Sequence, residues 1–173
     1  MLKTGKDWFA LIISLLIPHA AGALGSLFTI SAIPLWYSTL TLPAFAPPSW
    51  VFGPAWTALY TLMGIALFLV WRTRGARTLH APKEETRARG RARTIGLYLF
   101  GVQMVLNLLW SIIFFGMQSP VAALVDIILL DIFVALTIVY FYRARPSAAV
   151  LLLPYIAWIL FATALNLGIV ILN

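Results

Sequence analysis

All twelve lysines and arginines of this 173-residue chain fall in three clusters, and long apolar stretches separate the clusters. Lys3 and Lys6 precede the first stretch. Arg72, Arg74, Arg77, Lys83, Arg87, Arg89, Arg91 and Arg93 lie between the second and third, and Arg143 and Arg145 between the fourth and fifth. The stretches cover roughly residues 8–29, 50–71, 94–115, 120–142 and 147–172. Each matches the about 20 helical residues that a bilayer core requires. Five crossings put every basic residue on one side of a membrane; merging or splitting a segment destroys that partition. Backbone groups in lipid must bond within their own segment, so the segments are helices, and the alternation of a barrel strand is absent. With 62% hydrophobic and 10% charged residues, the chain carries more apolar surface than a soluble domain of its size needs. The sequence therefore predicts an all-α integral membrane protein: a five-transmembrane-helix bundle with an internal ligand cavity, one domain over residues 1–173. The positive-inside rule puts the N-terminus and the basic loop in the cytoplasm if the host is a bacterial inner membrane, which suits helices better than the outer membrane.

Several function classes drop out. There is no cysteine, so disulfides, thiolate metal sites and cysteine nucleophiles are excluded. The net charge of +7 raises the question of nucleic acid, but no aromatic residues interleave the arginines of RTRGARTLHAPKEETRARGRAR to stack bases. That loop reads as a topology determinant that attracts anionic headgroups. The N-terminus starts like a signal peptide, yet its apolar run is too long and lacks a small-residue cleavage site, so it is expected to remain as the first span. No phosphate loop, zinc motif, nucleophile elbow or paired carboxylates appear, and no inverted repeat of the transporter kind.

The interior is marked by residues that lipid would not tolerate or that interfaces do not explain. The run PAFAPPSWVFGPAWTALY, residues 43–60, begins stiff and non-helical because of its prolines. Ser49 is placed to cap the helix that follows, whose residues Gly53, Trp56, Thr57 and Tyr60 share one face. With Trp50 and Phe52 this makes either an aromatic mouth for a flat apolar ligand or a proline-capped span with interfacial tryptophans. On the third span Gln103, Asn107, Trp110, Ser111 and Phe114 form one face. The two amides either glue helices together or line a cavity; mid-span Trp110 favours the cavity. On the fifth, Tyr155, Trp158, Ala162, Leu165 and Ile169 run down one face. The first span carries Pro18, expected to kink it, and Gly22 and Ser26, small enough for close helix approach. His19 reads as a hydrogen-bonded bundle residue or, less readily, an axial haem ligand; the other histidine, His80, is in the loop. Asp126 and Asp131 have no basic residue within any span to pair with, Asp126 near the span start and Asp131 at mid-depth. A proton relay through the two is the functional alternative to internal hydrogen bonding.

Several motifs in order then resemble one family. They are WY at Trp36–Tyr37, PxFxPPxWVFGPxWTxLYxLMG from Pro43, QxxLNxxWxxxFFG from Gln103, ALVD ending at Asp126, and LPYxAWxxFATxLN from Leu153. The chain resembles, over nearly its whole length, the translocator protein family: the tryptophan-rich sensory proteins (TspO/MBR), also called peripheral-type benzodiazepine receptors. The resemblance implies a receptor for porphyrins and haem, sterols and synthetic drug-like ligands, with no cofactor required, no metal site and a possible homodimer. It carries ligand-contact roles onto Ser26, Trp50, Phe52, Gly53, Asn107, Trp110, Leu129, Trp158, Ala162 and Leu165. Trp36, Trp56, Tyr60 and Gln103 complete the expected binding set. It also implies, for residues matching Trp50 and Trp158, a part in light-dependent porphyrin breakdown, which would give the chain a catalytic role; transport of porphyrin or sterol is the other alternative. Three departures stand out. LNLGIVILN lacks the aromatic and basic residues of the animal cholesterol pattern. Gly96 and Gly101 are five apart, which is not GxxxG. Ala122 stands where animal members have tryptophan, which is expected to open that part of the cavity.

Overall fold

The computed structural model describes residues 5–75 and 83–173; Lys3, Arg77 and His80 lie outside the described residues. The described residues are helical with no strand, and five helical segments are long and apolar enough to cross a membrane. Helix α1 spans Gly5–Leu35, α2 Phe52–Trp71, α3 Lys83–Ser111 and α4 Pro120–Ala144. The fifth crossing is two helices, α5 (Pro146–Val150) and α6 (Leu153–Leu172). Around the bundle the order is α1, α2, α5/α6, α4, α3, with α3 packing back on α1.

Four features of the helices differ from the sequence reading. The fifth segment breaks at Leu151–Leu152 because Pro154 has no N–H to give the Val150 carbonyl and its ring crowds that turn. Helix α3 begins eleven residues before the apolar segment, at Lys83 rather than Thr94. Its first turns are charged and solvent-facing, with Glu84 and Glu85 at the positive helix end and Arg89 paired to Glu85 four residues back at 2.7 Å. Helix α1 continues through both Pro18 and Pro34 to Leu35. Ser49 makes no side-chain cap; it sits in a 3-10 turn, Ser49–Val51, that leads into α2.

Pro18 also explains how closely α1 and α2 pack. It removes the N–H that would have bonded the Ser14 carbonyl. Gly64 on α2 lies against that turn: a Cβ there would come within 2.8 Å of both the Ser14 carbonyl oxygen and the Leu15 Cα. Without a hydrophobic force between helices in lipid, such close backbone approach is a main source of association. Gly96 serves the same purpose between α3 and α4, under the ring of Phe141, which stacks on Phe100 at 5.9 Å. Gly101 meets nothing within 4 Å, so the two glycines face different ways.

The two ends of the bundle are fixed differently. At the basic end Arg72 pairs with Asp7 at 3.4 Å, and Arg93 donates to the Val70 and Trp71 carbonyls that end α2. At the other end the first connection folds over the helices. Asn173 accepts from the Thr41 amide at 2.9 Å and donates to the Thr41 carbonyl at 3.1 Å and the Ile169 carbonyl at 2.9 Å. Pro43 is buried against Gly168. The half of the bundle towards the basic end is filled by Met63, Leu67, Val70, Phe100, Leu130, Val134 and Phe141, all buried.

Candidate functional site

The half under the first connection is hollow. A cavity of about 460 Å³ lies among α1, α2, α3 and α6, within the range of small-molecule sites. Its wall is aromatic: Tyr37, Phe52, Trp56, Tyr60, Trp110, Phe114, Phe115 and Trp158. The rings brace one another. Trp110 stacks on Phe114 at 4.9 Å, Trp56 stacks on Tyr60 at 5.2 Å, and Phe52 meets the edge of Trp158 at 6.0 Å. Each such pair adds about 0.5–1.5 kcal/mol beyond the area it buries. The end of α3 widens into a π-helical turn, Ile112–Gly116, at which the consecutive Phe114 and Phe115 both reach the cavity. Gln118 follows at φ 50° and turns the chain into α4.

A hydrogen-bonded chain anchors the inner end. Tyr60 Oη donates to Asn107 Oδ1 at 2.9 Å, and Asn107 Nδ2 donates to Tyr155 Oη at 3.2 Å. Tyr155 Oη donates to Gln103 Oε1 at 2.9 Å. Tyr60 and Asn107 face the cavity, whereas Tyr155 and Gln103 stand behind it, fully buried. Trp110 Nε1 donates to Asn166 Oδ1 at 3.1 Å, and Asn166 Nδ2 donates to the Pro120 carbonyl at 2.8 Å. This ties α3, α6 and the start of α4 together at the level of the rings. Every polar side chain in these two chains is paired, as burial in lipid demands.

Ser26, Phe52, Gly53, Trp56, Tyr60, Asn107, Trp110, Trp158, Ala162 and Leu165 all line the cavity, and four expected residues do not. Trp50 is 75% exposed: in the 3-10 turn its ring points off the roof, while Phe52, two residues on, points in. Trp36 packs on the edge of Phe114 at 5.4 Å, outside the wall, and its neighbour Tyr37 lines it instead. Gln103 bonds Tyr155 and so joins helices. Leu129 faces outward from α4; Leu130, one position on, is the buried residue. Ala122 likewise faces outward, so its small size does not open the cavity.

The cavity has lining that the sequence did not single out, chiefly Thr29 and Ile33 on α1, Tyr37, Phe115 and Asn166. The signals were present: Thr29 and Ile33 continue the Gly22–Ser26 face by helical spacing, and Asn166 ends the LPYxAWxxFATxLN motif. His19 also lines the cavity; its Nδ1 contacts the Leu15 carbonyl of its own helix at 2.9 Å. Gly22 is required here, because a Cβ would collide with the Tyr60 ring. Among the described residues no three His, Asp or Glu side chains cluster as metal ligands would. Asp131 accepts from Thr163 Oγ1 at 2.8 Å, joining α4 to α6, and Asp126 is buried on α4; neither lines the cavity.

Comparison of the sequence with known proteins gives consistent matches. The model of the TspO/MBR family matches residues 14–172. "Tryptophan-rich protein TspO" of Archaeoglobus fulgidus is 47% identical over 163 residues, covering 94% of this chain and 96% of the relative. The protein of the same name from Chlorobaculum tepidum is 44% identical over 154 residues, 89% of each chain. The human "Translocator protein" is 38% identical over 151 residues, 87% of this chain and 82% of the relative.

Proposed function

Since the chain belongs to the TspO/MBR family, we propose that it is a membrane receptor that binds tetrapyrroles such as protoporphyrin IX, and other flat apolar ligands, in the ring-lined cavity. The observation that carries this reading is the wall itself: eight aromatic side chains around an open volume at mid-bundle, where a close-packed interior would normally leave none. A planar macrocycle gains by stacking on indole and phenol faces. Its polar edge finds Asn107, Ser111 and Asn166 on one side and Ser26 and Thr29 on the other. The Asn173–Thr41 clasp and the Pro43–Gly168 contact hold the roof over the open end.

Titration of the purified protein with protoporphyrin IX in the dark tests the proposal. Saturable quenching of tryptophan fluorescence is expected, weakened at least about tenfold by Trp158→Ala, the worth of roughly one aromatic stacking contact. Quenching that is non-saturable, or identical in Trp158→Ala, overturns it. One observation favours a second activity: Trp158, an oxidisable indole, lies in the wall against which a photosensitising ligand would rest. Bleaching of bound porphyrin in light, slowed by Trp158→Phe, is its signature. Since Trp50 is turned away from the cavity, Trp50→Phe is expected to leave bleaching unchanged.

We also propose that the end of the bundle carrying Lys6, Arg72, Arg93, Arg143 and Arg145 faces the cytoplasm of a bacterial inner membrane. The native chain has no cysteine, so single cysteines placed at Ser38 and at Ser147 report opposite faces without background. Labelling of Ser38→Cys alone by an impermeant maleimide in intact spheroplasts is expected; labelling of Ser147→Cys alone overturns the orientation.

A further inference from the structure

Among the described residues, seven arginines of the basic end fall into two groups, those held within the fold and those with no acidic partner. Arg72, Arg93 and Arg145 are occupied within the fold: by Asp7, by the carbonyls ending α2, and by Ser147 Oγ at 3.2 Å. Arg89 is paired with Glu85. Arg87, Arg91 and Arg143 have no acidic partner among the described residues, and all three line one groove of about 720 Å³ between the start of α3 and the end of α4. Glu84 is the one other unpaired charge lining it, so positive charge prevails even after Glu84 is counted.

The groove is layered. Its lower wall is Ile95, Ala92 and Tyr140, at the level where α3 turns from charged to apolar. Its upper rim is guanidinium, with Arg143 held over the Tyr140 ring, 5.5 Å from its centroid. Tyr98, one helical turn after Ile95, and Tyr142, next to Arg143, are both exposed, as aromatic residues at a membrane interface are. A soluble anion would need only the rim. An amphiphile with a phosphodiester above and a glycerol and acyl chains below matches both layers, and guanidinium forks suit phosphate oxygens.

We propose that this groove binds the headgroup of an anionic phospholipid from the surrounding bilayer. The site is separate from the ring-lined cavity and does not depend on what the cavity holds. Three guanidiniums on one groove, with no acidic partner among the described residues, distinguish it from the diffuse attraction of any basic loop for an acidic surface.

The test is lipid retention by the full chain. The protein is reconstituted in nanodiscs of equal phosphatidylglycerol and phosphatidylcholine, released gently, and its bound lipids are counted by native mass spectrometry. Retention of a single phosphatidylglycerol in preference to phosphatidylcholine is expected. R91Q/R143Q is expected to lose that preference by about tenfold or more, at about 1 kcal/mol per surface guanidinium. The charge-matched K6Q/R145Q is expected to keep it, and R91K/R143K, which conserves charge at the same two exposed positions, to keep part of it. No preference in the wild type overturns the proposal. Equal loss in both glutamine variants overturns it in favour of a diffuse field. Displacement of the lipid by millimolar glycerol phosphate overturns it in favour of a soluble-anion site.

Discussion

Replacing Asn107 by alanine should loosen the bundle by about 1–2 kcal/mol. The amide accepts from Tyr60 at 2.9 Å and donates to Tyr155 at 3.2 Å. Side-chain hydrogen bonds between membrane helices average about 0.6 kcal/mol and reach about 1.7. Two of them therefore amount to about 1–3 kcal/mol, and the lower half of that range applies for two reasons. Tyr60 faces the cavity, so its freed hydroxyl is left beside open volume rather than sealed in a close-packed interior. Tyr155 is fully buried but still donates to Gln103 at 2.9 Å, so it loses an acceptor contact rather than its donor. The volume vacated by the side chain joins an existing cavity and adds little further cost. The assay is reversible unfolding in mixed micelles, run as a double-mutant cycle with Tyr60→Phe. A coupling of about 0.6–1.7 kcal/mol is expected between the two positions. A coupling near zero, or an Asn107→Ala protein as stable as the wild type, would refute the claim that this network anchors the inner end of the cavity.

Gly64→Ala drives a methyl into the backbone of α1 at Ser14 and Leu15 and should cost about 1–3 kcal/mol by overpacking, whereas Gly101→Ala, with nothing within 4 Å, should be neutral or slightly stabilising; unfolding midpoints of the two variants check this. Asn173→Ala removes both bonds to Thr41 and should lower hydrogen-exchange protection of the Thr41 amide by about five- to tenfold, the worth of about one net hydrogen bond. Asp7→Asn removes the half-buried pair with Arg72 and should cost no more than about 1 kcal/mol, read from the same unfolding midpoints.

Much of this arrangement is legible in the sequence because lipid makes polar residues conspicuous. Asn107, Trp110 and Ser111 form a polar face in an apolar span, and that face lines the cavity. Gly53, Trp56, Thr57 and Tyr60 follow from helical spacing alone. What misleads is side-chain direction where spacing has no period. Trp50 sits in a 3-10 turn and Trp36 just before another, where adjacent residues diverge, so Phe52 and Tyr37 take the inward places. Leu129 lies about 100° from Leu130 on a helix that, apart from Asp126, Asp131 and Thr137, is apolar on every face, which offers little pattern to separate core from lipid. The charged start of α3 is invisible to hydropathy because arginine-rich helices and loops look alike in composition. The break before α6 was readable from Pro154, since a proline excludes the bond to the residue four back.

The most direct measurement of the central claim is protoporphyrin IX affinity in Ala162→Trp, in the dark. Ala162 lines the cavity, and an indole there would fill open volume with little displacement of the core. Affinity should fall by at least about tenfold, the factor that 1.4 kcal/mol represents, while the melting temperature holds or rises. Wild-type affinity in a well-folded Ala162→Trp protein would contradict the account, because the ligand would then be binding somewhere other than the ring-lined hollow.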